Sequence, residues 1–192
     1  LVGPSLIKFA DGSVFRGEMV TGMATGYGAI HLAQTSTDFA GTFISNIPNG
    51  FGALAVGAWR GLLGGAYDSE SSIYVGDFCD GEPDGFGAVV SAFASGAQGA
   101  RRYNHFVGTF YAGVRHGPGA LLTSAEDLLV GTFENDKKIG LFLYVEQLKN
   151  AAELRFYVED VCLETYAIRG VYFRRPWTLR DLLLSLQLLI PD

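Results

Sequence analysis

The sequence is short of the residues that carry chemistry. It has two cysteines, Cys79 and Cys162, far apart and with no Cys-x-x-Cys neighbour. That speaks against a disulfide framework and against a cysteine-built zinc site. Its three histidines, His31, His105 and His116, have no carboxylate or cysteine at a ligand spacing. No Gly-Lys-Ser/Thr occurs, and the Gly-x-Gly pairs stand before strands rather than helices, so no phosphate loop is expected. Glu82 and Asp84 share a turn and are expected to be solvated; without burial they make no acid–base pair. Charge is sparse too, at 18% of residues, against roughly 25% in soluble domains. What charge there is runs acidic, with a net value of −6. Nucleic acid and anionic lipid both need basic stripes, so both are disfavoured. The basic pairs Arg101-Arg102 and Arg174-Arg175 read as solvated loop charges. No Asn-x-Ser/Thr sequon occurs, which fits an intracellular protein. The expectation is a chain that is not an enzyme, with no metal and no cofactor.

Glycine is the exception, with 26 residues. That is about twice the usual share, without a collagen period. The glycines fall into a repeated phrase. In YVGDFCDGEPDGFG, Tyr74 and Phe78 flank Gly76 at two residues either side, and Gly81, Gly85 and Gly87 follow at +5, +9 and +11. FRGEMVTGMATGYG repeats it around Gly17, FAGTFISNIPNGFG around Gly41, and FVGTFYAGVRHGPG around Gly108. LVGTFENDKKIGLF, around Gly131, is a worn copy: Leu129 stands in the first aromatic position and Phe142 where the last glycine belongs. The +5 position reads Gly22, Asn46, Gly81, Gly113 and Asp136. These residues tolerate a left-handed backbone, so a tight turn belongs there. Before it, aromatic and polar residues alternate with period two, as in a strand with one buried face. After it, the glycine pair is expected to open a second strand, such as Ala29–Leu32, Ala88–Val90 or Ala120–Leu122. Each copy is thus a β-hairpin, marginal alone and stable when stacked. Leu6–Phe9 adds a strand ahead of the first copy, with Asp11-Gly12 as a two-residue hairpin turn.

This phrase resembles the repeat of the MORN family (membrane occupation and recognition nexus), whose unit reads roughly Tyr-x-Gly-x-Trp/Phe followed by Gly-x-x-x-Gly-x-Gly. The resemblance covers about residues 6–142, with Phe in place of most of the family's Tyr and Trp. Its anchors are spaced 24, 35, 32 and 23 residues apart rather than evenly. It implies an all-β fold, a single-layer antiparallel sheet of stacked hairpins forming an open solenoid. Residues 1–145 would hold the array, with copies starting near 15, 39, 74, 106 and 129. Residues 146–175 would be degenerate strands closing it, with Tyr157 as the start of a sixth copy whose anchor position holds Glu159. Residues 176–192 read as a short amphipathic C-terminal helix, capped by Thr178; its apolar stretch of about 20 Å is too short to cross a bilayer.

The aromatics Phe15, Phe39, Phe43, Tyr74, Phe78, Phe106, Phe110 and Phe133 are expected to line a partner-binding groove. Gly17, Gly41, Gly76, Gly108 and Gly131 define the repeats structurally. Insertions at 53–73 and 93–104 interrupt the array. Trp59, Trp177, Leu182, Leu186 and Leu189 are candidate docking residues of loop and tail, on the chain's own sheet or on another chain; the tail could also lie on a membrane surface, which its lack of a Lys/Arg-rich polar face disfavours. The leading functional expectation is a non-catalytic protein-binding scaffold. It would be a structural subunit of a multi-subunit assembly, cytoskeletal or ciliary by the family resemblance, in the cytoplasm or cytoskeleton. The alternative is a membrane-recruitment module that binds phospholipid head groups, which the acidic charge disfavours. Organelle targeting stays open.

Overall fold

The computed structural model describes residues 2–57, 70–95 and 100–168. The C-terminal helix, Trp59, Trp177 and the tail leucines lie outside the described residues. The chain forms two compact units, residues 1–102 and 103–192. This division falls inside the expected 1–145 array, at the insertion around 93–104. The first unit holds β1 (Val2–Lys8), β2 (Val14–Val20), β3 (Met23–Leu32), β4 (Thr37–Ile44), β5 (Ile47–Val56), β6 (Glu70–Cys79) and β7 (Glu82–Ser95). They pair antiparallel in chain order. The second unit takes up the chain within β8 (Ala100–Tyr111) and continues through β9 (Val114–Leu122), β10 (Asp127–Glu134), β11 (Lys137–Glu146), β12 (Ala151–Val158) and β13 (Val161–Ile168). These also pair antiparallel in order. No helix occurs among the described residues. The all-β, open hairpin architecture expected from the glycine phrase is the one observed.

The glycines set the register. Anchor and +11 glycines face each other across every regular hairpin, and +11 faces the next anchor. In the first unit the row runs Gly17, Gly28, Gly41, Gly52, Gly76, Gly87. In the second it runs Gly108, Gly119, Gly131. The glycine pair therefore lies within the second strand and does not open it, because that strand starts directly after the tight turn. The +9 glycine has its own task. It carries positive φ, as at Gly26 (96°), Gly50 (86°), Gly85 (104°) and Gly117 (95°). It sits where the pairing slips by two residues, a β-bulge in the second strand.

Each hairpin turn has positive φ at two successive residues, for example Asp80-Gly81 and Asn135-Asp136. That is the two-residue turn whose twist matches the strands. The expected left-handed +5 position is one of the two. Asp11-Gly12 belongs to a longer loop than the sequence suggests: Phe9 N–H donates to the Ser13 carbonyl at 2.9 Å and Gly12 N–H to the Phe9 carbonyl at 3.1 Å.

The hairpin β12–β13 realigns the sixth copy. Its turn residues Glu159 and Asp160 have positive φ. Tyr157, two before that turn, therefore holds the second aromatic position, and Arg155 holds the anchor. The reading that made Tyr157 the first aromatic was displaced by four residues, because no glycine marks the register there.

Candidate partner-docking surface

The first aromatic of each regular hairpin lies over its own glycine pair. A Cβ at Gly28 would come within 2.9 Å of the Phe15 ring, one at Gly52 within 2.7 Å of Phe39, and one at Gly119 within 2.5 Å of Phe106. The second aromatic meets the first edge-on, and the first meets the second of the next hairpin. In the first unit the ring centroids run Phe15–Phe43 5.5 Å, Phe43–Phe39 5.1 Å, Phe39–Phe78 5.0 Å and Phe78–Tyr74 5.1 Å. In the second they run Phe110–Phe106 5.4 Å, Phe106–Phe133 5.1 Å, Phe133–Phe142 5.3 Å and Phe142–Tyr157 5.3 Å. Edge-to-face pairs add about 0.5–1.5 kcal/mol each beyond their buried area.

The eight aromatics expected to line a groove are among these ten rings, and the eight are 1–8% exposed. Their surface is taken up by one another, by the glycine row and, in the second unit, by the Arg115 guanidinium 5.5 and 5.1 Å from the Phe106 and Phe133 centroids. Tyr74 donates to the Asp77 carbonyl at 2.9 Å. Burial first, then the nearby Asp77 and Asp84 charges, pushes its phenol up to about 12, so it stays neutral. The five anchor glycines lie where the sequence places them, at the strand pairings beneath these rings.

Neighbouring hairpins are fastened at their turns. Asn46 N–H donates to the Ala24 carbonyl at 2.9 Å, and Ala24 N–H donates to Asn46 Oδ1 at 2.7 Å. Asp136 and Arg115 repeat the exchange at 3.0 Å each way, and Arg115 Nε donates to Asp136 Oδ1 at 2.8 Å. Asp160 and Lys138 repeat it at 3.1 and 3.0 Å. Gly81 makes the amide half alone, 2.9 Å to the Pro48 carbonyl. The pattern has a simple cause. Where the older hairpin offers an N–H, the next turn carries Asn or Asp to accept it; Pro48 offers none, and Gly81 suffices.

The exposed aromatics of the first unit lie on the opposite, back face. Sequence reasoning passed over it. The middle residue of each Gly-x-Gly alternates away from the ring stack. Tyr27 is 72% exposed, Phe51 63% and Phe86 39%. The signal was present, since period two counted from Phe15 through Gly28 puts Tyr27 on the far side. The anchor-plus-one residues share this face. Thr42 Oγ1 donates to the Asn49 carbonyl, and Thr109 Oγ1 to the His116 carbonyl, across the bulge. Between Val14 and Ser95 the described residues hold one lysine or arginine, Arg16, against seven carboxylates. The same face of the second unit is dry along part of its length: Val107, Ala120, Leu128 and Val145 are at most 1% exposed.

Two smaller expectations change. His31 does have a carboxylate beside it, because antiparallel pairing sets it opposite Asp38, 2.8 Å away and exposed. Asp84 is half-buried rather than solvated, while Glu82 is exposed. Cys79 and Cys162 are both exposed thiols. Among the described residues, no three His, Cys, Asp or Glu side chains gather where they could hold a metal ion.

No protein-family model matches the sequence, and no curated protein does.

Proposed function

We propose that the chain is a non-catalytic protein-binding scaffold of MORN-type repeats, a structural subunit of a larger assembly. The observation that carries this reading is the back-face row of Tyr27, Phe51 and Phe86. Three large aromatic side chains stand in water in register on one face of a sheet, in a chain short of charge. Large exposed aromatic side chains grouped on one face mark an interaction site more often than an accident of composition. In the first unit the rings fill one face, and Tyr27, Phe51 and Phe86 stand exposed on the other. A cytoskeletal or ciliary setting, in the cytoplasm or cytoskeleton, follows from the family resemblance. The test is native co-purification, with partners identified by mass. A stoichiometric protein partner is expected. Elution of the chain alone, or salt-sensitive flotation with anionic liposomes, would overturn the reading; flotation would favour membrane recruitment through phospholipid head groups instead.

A further inference from the structure

This inference rests on the scaffold reading and names the chemistry of the partner. Tyr27 lies on β3, Phe51 on β5 and Phe86 on β7, every second strand of the first unit. Adjacent strands are about 4.8 Å apart, so the rings recur at about 9.6 Å. The strands between them carry short polar residues on the same face. Tyr27 pairs with Thr42, and Phe51 with Asp77. Glu18 stands at the start of the row beside Gly26, and Asp77 beside Gly85. Read across the sheet, the row is Glu18, Tyr27, Thr42, Phe51, Asp77, Phe86. The Thr42 hydroxyl is already bonded to its own hairpin. What remains for a ligand is three exposed aromatic side chains with two carboxylates between and beside them.

Charge complementarity and pitch together select the occupant. Carboxylates interleaved with aromatic faces favour cations, which both groups attract. A partner strand is excluded, since this is the face of a sheet and its backbone groups are already paired. An α-helix repeats every two turns at about 10.8 Å, overshooting by about 1.2 Å at each ring. A polyproline II segment repeats every three residues at about 9.3 Å, within about 0.3 Å of the ring spacing. We propose that the back face of the first unit binds a basic, proline-containing segment of a partner protein in the polyproline II conformation, with every third residue on an aromatic ring and its arginines or lysines beside Glu18 and Asp77.

The test titrates the full chain against a labelled (Pro-Pro-Arg)5 peptide, read by fluorescence anisotropy. Comparators are (Pro-Pro-Glu)5 and a basic helical peptide of equal charge. The arginine peptide binds best. Phe51→Ala weakens it about tenfold, and Asp77→Asn about threefold. Both side chains are exposed, so thermal unfolding and circular dichroism stay at the parent values. Equal binding of the glutamate peptide, tighter binding of the helical one, no binding at all, or an unchanged affinity in Phe51→Ala would overturn the proposal. Co-purification separates this from the scaffold reading. Partners that stay with a Phe51→Lys variant sink the proposal alone, whereas a parent chain that brings down no partner sinks the scaffold reading.

Discussion

The hairpins β6–β7 and β10–β11 solve one packing problem in opposite ways. In β6–β7 the ring comes from the first strand: Tyr74 lies over Gly76 and Gly87. In β10–β11 the first strand offers Leu129, and the ring comes from the second as Phe142. A Cβ at Gly131 would be 2.6 Å from the Phe142 ring. Phe142 then makes the contacts a first aromatic makes elsewhere, edge-on to Phe133 in its own hairpin and to Tyr157 in the next. The copy that reads as worn moves the ring from the first strand to the second and leaves Leu129 in its place. The requirement is one ring's volume above the glycine row, and either strand can supply it.

That comparison can be tested by substitution, beginning with the severest. Gly76→Ala puts a Cβ 2.5 Å from the Gly87 Cα and 2.6 Å from the Phe86 carbonyl oxygen. Backbone cannot yield as a side-chain tip can, so a loss of about 3 kcal/mol or more is expected in denaturant unfolding. Phe142→Gly empties the slot in β10–β11 and costs about 3–5 kcal/mol. Adding Leu129→Tyr rewrites the hairpin in the regular grammar and should return stability to within about 1.5 kcal/mol of the parent. A double variant no better than Phe142→Gly alone would break this account.

The turn fastenings give smaller effects. Asp160 accepts from the Lys138 amide and ammonium. Burial works to raise its pKa, but these hydrogen bonds and the Lys138 charge outweigh it, and the net shift is downward from 3.8. A carboxyl with a lowered folded-state pKa stabilises above its ordinary value, and that contribution is lost as the pH falls through the lowered one. Asp160→Asn, which keeps a residue suited to the left-handed turn and removes the charge, should cost about 0.5 kcal/mol at neutral pH. The gap to the parent should close as urea midpoints are followed into acid below 3.8. Smallest is the cycle at Pro48 and Gly81. Pro48→Ala exposes an N–H with no acceptor and costs about 0.5–1 kcal/mol. Gly81→Asn should restore it in that background and gain nothing beside the native proline.

Much of this was legible because glycine spacing is a geometric code. Equal offsets from anchor to +11 force glycine to face glycine, and the +5 residues name the turn. The rest needed three dimensions. The +9 glycine reads like its neighbours, yet only the register slip shows that it sits at a bulge. Phe142 in a glycine position looks like decay until its ring is seen over Gly131. The aromatics were expected to form a groove because spacing says which side they share, not that edge-on contacts close the space between them. His31 and Asp38 are seven residues apart and meet through a loop of a kind the phrase does not encode.

The two margins of each unit differ. Along one, every hairpin reverses in two residues, and the turns at Asn46, Gly81, Asp136 and Asp160 are pinned to the hairpin before them. Along the other, the connections run from four residues, as between Leu32 and Thr37, to the thirteen between Val56 and Glu70. All length variation is confined to this second margin. Evolution, or an engineer, can therefore graft new sequence there without shifting a single ring or glycine, while one residue added at the other margin would throw the whole lattice out of step.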